Sequence, residues 1–336
     1  MIGAGKMSQT SPKSTVAFII VGWNNRPLLA DCFDSIAKQT YKPVQVIYVD
    51  NASTDGSVDW VSQHWPDVKI LAQDTNTGFA KGNNLGMAAA LEMPGVGYLA
   101  LINSDARLDP TWAEQLTRFA GRKPKGACFQ GTTLDYYNHA IIDSTHIFVA
   151  RNGQGTQGNW RLYLANELGP RKIFGSNAAA CLITRAFIEG QPFGSLFDET
   201  LYMYLEDIDL ASRATIMGWD NWLVPAARAY HMGSVSAAKR SSSFSLYMTF
   251  RNNSAVLFKN FPSRLILRML PRLIRGDLDT IIELRRRGQS QSIWPVIKGR
   301  VLGILRLPLF VGKRLKMRHY RRIDSDYLWR LMDEGY

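Results

Sequence analysis

Short apolar runs alternate with longer segments of helical periodicity along the first 120 residues. The apolar runs are VAFIIV (16–21), VQVIYVD (44–50), VKILAQ (68–73) and GYLALIN (97–103). Helices are predicted between and after them, over residues 27–38, 57–65, 81–93 and 110–120. Strands that are apolar throughout and alternate with amphipathic helices are typical of βαβ units. We therefore predict a parallel sheet with helices on both faces.

Polar or glycine-rich residues follow each of the four predicted strands. They occupy positions 22–25, 50–57, 74–80 and 103–105. In open parallel sheets, ligands bind beyond the carboxyl ends of the strands, so these segments are expected to form one ligand site.

The second and third of these segments each carry residues suited to a nucleotide. In DNASTDGS, Asp50 and Ser53 either cap the next helix or, for Asp50, accept the imide N–H of a uracil or thymine ring. In NTGFAKGNN, Gly78 and Gly82 permit close backbone approach, and Lys81 suits a phosphate. The spacing differs from G-x-G-x-x-G, which argues against NAD.

The stretch LALINSDARL ends an apolar run on a carboxylate, that of Asp105. One interpretation is a turn into a helix opened by Pro110, and the other is a ligand for a metal or phosphate. His231, in YHMGSVS, is either structural or a second metal ligand. A divalent ion on a nucleotide diphosphate needs few protein ligands, because phosphates and water supply the rest.

The densest acidic cluster lies in FDETLYMYLEDIDLASRA. Asp209 and Arg213 have i,i+4 spacing and are expected to pair on a helix surface. Glu206 and Asp207 then fall in the first helical turn, where the helix dipole stabilises carboxylates. They either only balance that dipole or supply a general base facing a cleft.

Composition indicates a globular protein, since 46% of the 336 residues are hydrophobic and 20% are charged. The three cysteines are far apart, so we expect no disulfide and a reducing compartment. Residues 1–15 are polar and lack the apolar core of a signal peptide, and they are expected to be a disordered tail. No run of 18 apolar residues predicts a membrane-spanning helix.

The positive charge is concentrated near the C-terminus. Residues 239–336 carry a net charge of +14 and residues 1–238 carry −2. RLILRMLPRLIR places Arg264, Arg268 and Arg272 at helical spacing among leucine and isoleucine. Such a segment either lies on an anionic membrane surface or packs on the domain with a solvated arginine face. The further run VLGILRLPLFVG between basic residues favours the membrane surface.

The motifs VGWNN, DNASTDGS, NTGFAKGNNLG, NSD, FDETLYMYLEDIDLASRA, HMGSVS and YMTFRNNSAVLFKNFP occur in this order over residues 16–262. The succession resembles family 2 glycosyltransferases, in particular the rhamnosyltransferase-like branch of bacterial O-antigen and polysaccharide synthesis. The resemblance implies an α/β GT-A fold, which is Rossmann-like and binds nucleotide-diphospho-sugars, with a basic helical C-terminal extension. The implied domains are a glycosyltransferase domain (16–238) and a C-terminal region (239–336). The first would comprise a nucleotide-binding half (16–106) and an acceptor half (107–238).

The resemblance also implies roles for individual residues. Asp207 would be the general base and Glu206 would lie beside it near the acceptor. Asp105 and His231 would hold Mg²⁺ or Mn²⁺, with Asn103 standing where many members carry the first Asp of the D-x-D motif. The implied nucleotide-sugar-binding residues are Asp50, Asn51, Ser53, Asn76, Gly78, Lys81, Asn83, Asn103, Ser104 and Arg251.

The implied activity is inverting sugar transfer, with dTDP-rhamnose as donor and a lipid-linked or polysaccharide hydroxyl as acceptor. A UDP-sugar donor, UDP-GlcNAc or a UDP-hexose, is the alternative, and a non-catalytic binding protein or a nucleic-acid binder is a third hypothesis. The basic tail lacks a nucleic-acid motif, so we expect no nucleic-acid partner. The expected location is cytoplasmic, peripheral on the cytoplasmic face of the inner membrane.

Overall fold

The computed structural model describes residues 14–164, 169–233 and 242–332. Its strands are β1 (Thr15–Gly22), β2 (Val44–Asp50), β3 (Lys69–Ala72), β4 (Val96–Asn103), β5 (Ala106–Leu108), β6 (Gly126–Asp135), β7 (Ile142–Ser144), β8 (His146–Val149), β9 (Gly155–Gly158), β10 (Arg171–Ile173), β11 (Ala180–Thr184) and β12 (Asp220–His231). The helices of the first 216 residues are α1 (Arg26–Ala37), α2 (Ser57–His64), α3 (Gly78–Leu91), α4 (Trp112–Ala120), α5 (Arg185–Glu189) and α6 (Glu206–Ile216). Those nearer the C-terminus are α7 (Ser242–Asn260), α8 (Ser263–Arg286), α9 (Ile293–Leu305), α10 (Val311–Tyr320) and α11 (Ser325–Leu331).

One mixed sheet runs through the described part of the chain, with the strand order β10-β12-β6-β11-β4-β1-β2-β3. The four strands predicted from the apolar runs, β1 to β4, are confirmed and pair in parallel. β11 joins β4 in the antiparallel direction and extends the sheet towards β6 and β12. β5 pairs with β12 at the edge, and β8 and β9 form a separate hairpin.

The side chains of β1 alternate between two cores, as expected for a strand that is covered on both faces. Val16, Phe18 and Ile20 pack on the side of α1, α2 and α4. Ala17 and Ile19 pack on the side of α3, α5 and α6. The apolar run that predicts β1 is therefore continuous because both of its faces are buried.

Two sequence boundaries differ from the structure, and a third is not tested by it. Thr15, placed in the N-terminal tail, begins β1, and residues 1–13 lie outside the described residues. The third helix begins at Gly78 rather than at residue 81, because Gly78 turns the chain at a φ of +86° directly into the helix. The predicted domain boundary at 238/239 also lies outside the described residues.

The turn after β4 is not a strand-to-helix turn, so that interpretation of LALINSDARL was wrong. Ser104 and Asp105 connect β4 to the short strand β5, and α4 begins only at Trp112. The physical reason is a pairing distant in sequence, since β5 hydrogen-bonds to the end of β12.

Helices α7 to α11 pack against the sheet domain and against one another. Leu265 and Met269 of α8 enter a core shared with α6 and α7, and Val296 of α9 packs against α7. Gly299 and Gly303 bring α9 close to α7, where an added Cβ would lie 2.5 and 2.6 Å from backbone oxygens of α7. The basic helical extension predicted from the sequence is therefore present, and its inner face is built into the protein.

The outer side of these helices exposes many apolar side chains among arginines and lysines. Arg268 and Arg272 extend over the ring of Trp329, so part of the predicted arginine row is turned towards the protein. The exposed apolar residues are Leu267, Leu270, Ile274, Leu278, Ile282, Trp294, Ile297, Val301, Ile304, Leu305, Leu309, Val311 and Leu315. Within the described residues, no helix combines the length and the apolar character needed to span a bilayer.

A buried ionic cluster joins α6 to α7 and α10. Asp209 accepts hydrogen bonds from Arg213 (3.0 Å) and Asn260 (2.7 Å) and pairs with Lys259 (2.8 Å). Lys259 also pairs with Asp198 (2.6 Å), which Lys313 contacts at 2.6 Å. The predicted pair of Asp209 and Arg213 is confirmed, but its expected place on the helix surface is wrong, because α7 covers this face of α6 and both side chains are buried.

The ionisation of the buried Asp198 carboxyl depends on its two lysine partners. Burial alone would raise the pKa of Asp198, but Lys259 and Lys313 hold it well below its ordinary value. Asp198 therefore stays ionised in the folded protein and contributes stability that is lost as the pH falls below about 4, the pKa of an unfolded Asp.

Replacement of Lys259 by Met should destabilise the protein. Lys259 is 1% exposed, and its loss removes one cation from two buried carboxylates. Breaking such a buried pair costs about 3 kcal/mol of unfolding free energy. Thermal unfolding should show a Tm that is lower by several degrees, whereas Lys125→Met, at an exposed lysine, should leave it unchanged. Equal Tm values for both variants would contradict the role of Lys259.

Candidate active site

An open cleft lies at the carboxyl edge of the sheet, where the parallel strands end. It has about 640 Å³ of free volume. Its walls are Val21, Phe79, Asn103, Ser104, Asp105, Asn177, Ala178, Ala179, Met203, Tyr204, Glu206 and Asp207. Five of the residues that the sequence predicts for the site lie here: Asn103, Ser104, Asp105, Glu206 and Asp207. The ends of β4 and β11 and the start of α6 therefore converge on one space.

The pairing of β5 with β12 brings Asp105 and His231 together. Ala106 lies opposite His231 in this ladder, and Met232 N–H donates to the Asp105 carbonyl at 3.1 Å. As a result His231 Nε2 is 3.3 Å from Asp105 Oδ1 and 3.3 Å from Asn103 Nδ2.

The other ring nitrogen of His231 faces Asp143 of β7, with 2.9 Å between His231 Nδ1 and Asp143 Oδ2. Burial alone would lower the pKa of His231, but hydrogen bonds and charges from Asp105 and Asp143 outweigh burial and raise it to about 10. Without a cation, the ring therefore carries a proton on both nitrogens near neutral pH. A metal ion would have to displace the Nε2 proton, and the carboxylate at Nδ1 would then keep the remaining proton on Nδ1 and leave the Nε2 lone pair for the cation.

The donor atoms of Asp105 and His231 suit a divalent ion. Neighbouring ligands of an octahedral Mg²⁺ lie about 3 Å apart, which is close to the 3.3 Å between these two atoms. Carboxylate oxygen and neutral imidazole are both ordinary ligands of Mn²⁺. Among residues 14–164, 169–233 and 242–332 no group of three acidic, cysteine or histidine side chains forms a metal cluster. Asp105 lines the cleft, and His231 contacts Asp105 without being one of the lining residues.

Glu206 and Asp207 begin α6 and line the same cleft as Asp105. Burial, together with the charge of Asp207, raises the pKa of Glu206, and Glu206 Oε2 is buried without a hydrogen-bond partner among the described residues. Burial also raises the pKa of Asp207, while the N–H groups of Ile208 and Ala178 oppose that rise. Their different surroundings give the two carboxyls different pKa values, so Glu206 retains its proton to a higher pH than Asp207 does.

A smaller pocket of about 400 Å³ adjoins the cleft through Val21, Phe79 and Met203. It contains three further predicted residues: Asn51, Asn76 and Gly78. The Asn51 amide donates to the Gly78 carbonyl (3.1 Å) and accepts from the Thr77 hydroxyl (2.9 Å). These contacts join the loop after β2 to the start of α3.

Other predicted residues lie beside the cleft rather than in its lining. Asp50 is buried and accepts hydrogen bonds from Tyr48 Oη (3.0 Å) and Ser53 N (2.8 Å). The capping interpretation is wrong, because α2 begins after Gly56 without a side-chain cap hydrogen bond. The Ser53 hydroxyl accepts from Asn24 N–H. Contact of Asp50 and Ser53 with a base stays a prediction.

Lys81, Asn83 and Arg251 also stand outside the lining of the cleft and of the adjoining pocket. Lys81 is exposed on α3, and the buried Asn83 amide donates to the Phe79 carbonyl at 2.9 Å. Arg251 of α7 donates to the Leu201 carbonyl at 2.9 Å, in the loop that precedes α6. The structure thus places Arg251 next to a wall of the cleft, and its contact with a phosphate stays a prediction.

Sequence reasoning missed Asp143, Asn177 and the Met203–Tyr204 wall. Asp143 and Asn177 are polar residues next to buried strands, which is a weak signal in one sequence. Their place in the site depends on strand pairings between distant segments, so no local pattern could have found them.

The family model described as "Glycosyl transferase family 2" matches residues 17–186 of this chain. This chain is a family 2 glycosyltransferase. The matched residues include β1 to β4 and β11, together with the turn that carries Asp105.

Two curated relatives match this chain over more residues than the family model does. The glycosyltransferase is 27% identical over 231 residues to N-acetylglucosaminyl-diphospho-decaprenol L-rhamnosyltransferase of Mycobacterium tuberculosis, covering 63% of this chain and 74% of the relative. It is 29% identical over 234 residues to O-antigen biosynthesis protein RfbC of Myxococcus xanthus, covering 65% of this chain and 17% of that protein. The rhamnosyltransferase-like branch predicted from the motifs is confirmed.

Solved structures agree on the fold. S. aureus TarS 1–349 superposes with a TM-score of 0.56 at 15% identity, covering 93% of the glycosyltransferase and 91% of TarS. GalNAc-T7 with UDP, GalNAc and Mn²⁺ gives a TM-score of 0.58 at 15% identity, covering 74% of this chain and about half (48%) of that one. The predicted GT-A fold with a helical C-terminal region is confirmed.

Proposed function

We propose that this glycosyltransferase transfers a sugar from a nucleotide-diphosphate donor to an acceptor hydroxyl and inverts the configuration of the anomeric carbon. The observation that carries the proposal is the cleft itself, since Asp105, Glu206 and Asp207 all line one open space. The nucleotide-binding half would be residues 16–106, and the acceptor half would be residues 107–238.

Asp207 is the general base in this proposal. It has the lower pKa of the two carboxyls, so it is ionised near neutral pH and can accept the proton of the attacking hydroxyl. Glu206 keeps its proton longer and can donate a hydrogen bond to the acceptor. The hydroxyl attacks the anomeric carbon opposite the diphosphate in a single displacement, so no covalent enzyme intermediate forms.

Asp105 and His231 would hold Mg²⁺ or Mn²⁺ on the donor diphosphate, and Asp143 would orient His231. The ion would offset charge on the departing diphosphate. Asn103, in place of a second aspartate, lies 3.3 Å from His231 Nε2 and adds an amide rather than a charge to this side of the cleft.

The proposed donor is dTDP-rhamnose and the proposed acceptor is a lipid-linked or polysaccharide hydroxyl. The support is the Mycobacterium tuberculosis relative, which is named as an L-rhamnosyltransferase acting on a decaprenyl-diphosphate-linked sugar. The alternative, a UDP-GlcNAc or UDP-hexose donor, is supported by the UDP in the GalNAc-T7 structure. A panel of these nucleotide sugars, read by nucleotide release, tests the choice. Release from UDP-sugars alone would overturn the dTDP-rhamnose proposal.

Asp207→Asn should lower kcat by about 10²–10⁴-fold, since the amide cannot accept the proton. Wild-type kcat should fall on the acid side with a midpoint above pH 4, the ordinary value for Asp, because burial raises the pKa of Asp207. The control is Asp59→Asn, an exposed carboxylate on α2. Turnover of Asp207→Asn within tenfold of wild type would remove Asp207 from this role.

Asp143→Asn should weaken Mn²⁺ binding about 10–100-fold, as expected when a carboxylate partner of a ligating histidine is removed. Electron paramagnetic resonance of free Mn²⁺ in the presence of nucleoside diphosphate measures the affinity without turnover. Asp135→Asn, at a carboxylate paired with Arg161, is the control. Equal Mn²⁺ affinity in wild type and Asp143→Asn would exclude this orienting role.

We also propose that α8, α9 and α10 lie on the cytoplasmic face of the inner membrane. The described part of these helices exposes many aliphatic residues beside many arginines and lysines. Aliphatic side chains can enter the interface while cations bind anionic headgroups. Packing of the inner face on the domain leaves this outer face available.

The membrane proposal predicts salt-sensitive sedimentation with anionic liposomes. Leu278→Glu combined with Ile304→Glu should abolish it, since these residues are 54% and 53% exposed on the apolar face. Leu162→Glu, at 55% exposure elsewhere, should bind as wild type does. Binding to DNA instead of liposomes, or equal liposome binding by all variants, would contradict the proposal.

A further inference from the structure

The residues that lead into α6 adopt a strained backbone. Tyr202 has φ 66° and ψ −61°, and Met203 N–H donates to the Leu201 carbonyl at 2.8 Å. This is the rare γ-turn of positive φ. Tyr204 (φ 68°) and Leu205 (φ 65°) follow in the left-handed region. Such conformations are unfavourable for residues other than glycine and persist only when surrounding contacts hold them.

Asn252 of α7 makes the contacts that hold this segment. It is 1% exposed, and its Nδ2 lies 2.9 Å from the Leu201 carbonyl, 3.0 Å from that of Met203 and 2.8 Å from that of Tyr204. An amide has two N–H groups, so the three carbonyls share them. One side chain thus binds three backbone carbonyls of the strained segment.

Neighbouring residues fix both the amide and the segment. Arg251 Nε donates to Asn252 Oδ1 at 3.0 Å, which directs the amide nitrogen towards the carbonyls. Arg251 Nη2 also donates to the Leu201 carbonyl. From the opposite side, Ala80 N–H donates to the Tyr202 carbonyl at 3.0 Å. The segment is therefore held between α3 and α7.

The held segment forms part of the cleft. Met203 and Tyr204 line it, and Leu205 is the residue immediately before Glu206 and Asp207. A shift of this backbone moves the first turn of α6 and therefore both carboxyls. Displacing a reacting group by about 1 Å can cost 10²-fold in rate.

We propose that Asn252 is a positioning residue that holds the strained segment 201–205, and through it the two carboxyls, in the geometry needed for sugar transfer. This inference rests on the proposed function for the roles of Glu206 and Asp207. Asn252 is buried and is not among the residues that line the cleft. Its amide acts on the backbone that carries the catalytic groups.

The test compares Asn252→Ala with Asn253→Ala in the full chain. Asn253 is the next residue of α7 and is also buried, but its amide donates to the Gly153 carbonyl, away from the cleft. Both variants lose a buried hydrogen bond and should have a lower Tm. Only Asn252→Ala should lower kcat, by about 100-fold, with KM for the nucleotide sugar nearly unchanged.

Hydrogen exchange supplies a readout that needs no turnover. Amides of residues 203–209 should exchange faster in Asn252→Ala than in wild type and Asn253→Ala. Asn252→Ser keeps a shorter donor, and the same criteria apply to it if the alanine variant does not fold. Unchanged exchange over 203–209, or equal loss of kcat in the variants at 252 and 253, would overturn the inference. Wild-type protein that releases no nucleotide would instead contradict the proposed function and leave the exchange result readable.

Discussion

The cleft depends on one short pairing, that of β5 with the end of β12. β5 has three residues, yet its ladder sets Ala106 opposite His231 and holds the Asp105 carbonyl on Met232. This pairing holds the carboxylate that follows β4 next to the histidine at the end of β12. The pairing leaves their donor atoms 3.3 Å apart at the edge where the parallel strands end. The proposed metal side of the site follows from that geometry.

The start of α6 also lines the cleft, and the position of this helix depends on the C-terminal helices. Asn252 of α7 holds the strained backbone before Glu206, and Lys259 of the same helix pairs with Asp209 one turn further on. α7 in turn contacts α9 closely at Gly299 and Gly303. The helices that expose the apolar face are thus packed against the helix that supports the proposed catalytic carboxyls. In this arrangement, α7 would contact both the proposed membrane-binding helices and the segment that positions the proposed catalytic carboxyls.

The sequence pattern predicted the elements that are determined by residues close together in the chain. The apolar runs of β1 and β4 are long because both faces of these strands are mostly buried. All four strands were predicted nearly to the residue, including the short edge strand β3, which is partly exposed. The polar ends of those strands correctly indicated a cleft containing Asp105. β5, Asp143 and the burial of Asp209 with Arg213 were missed or wrong. Each is decided by a segment more than 40 residues away in sequence, and one sequence carries no record of such contacts.

A crystal structure with a nucleotide-sugar donor and Mn²⁺ tests the central claim most directly. The claim is that the β5–β12 pairing and α6 supply the two sides of one sugar-transfer site. We expect the ion on Asp105 Oδ1 and His231 Nε2, the diphosphate on that ion, and Asp207 on the face of the anomeric carbon opposite the diphosphate. A donor bound outside the cleft, or an ion that contacts neither Asp105 nor His231, would contradict the account.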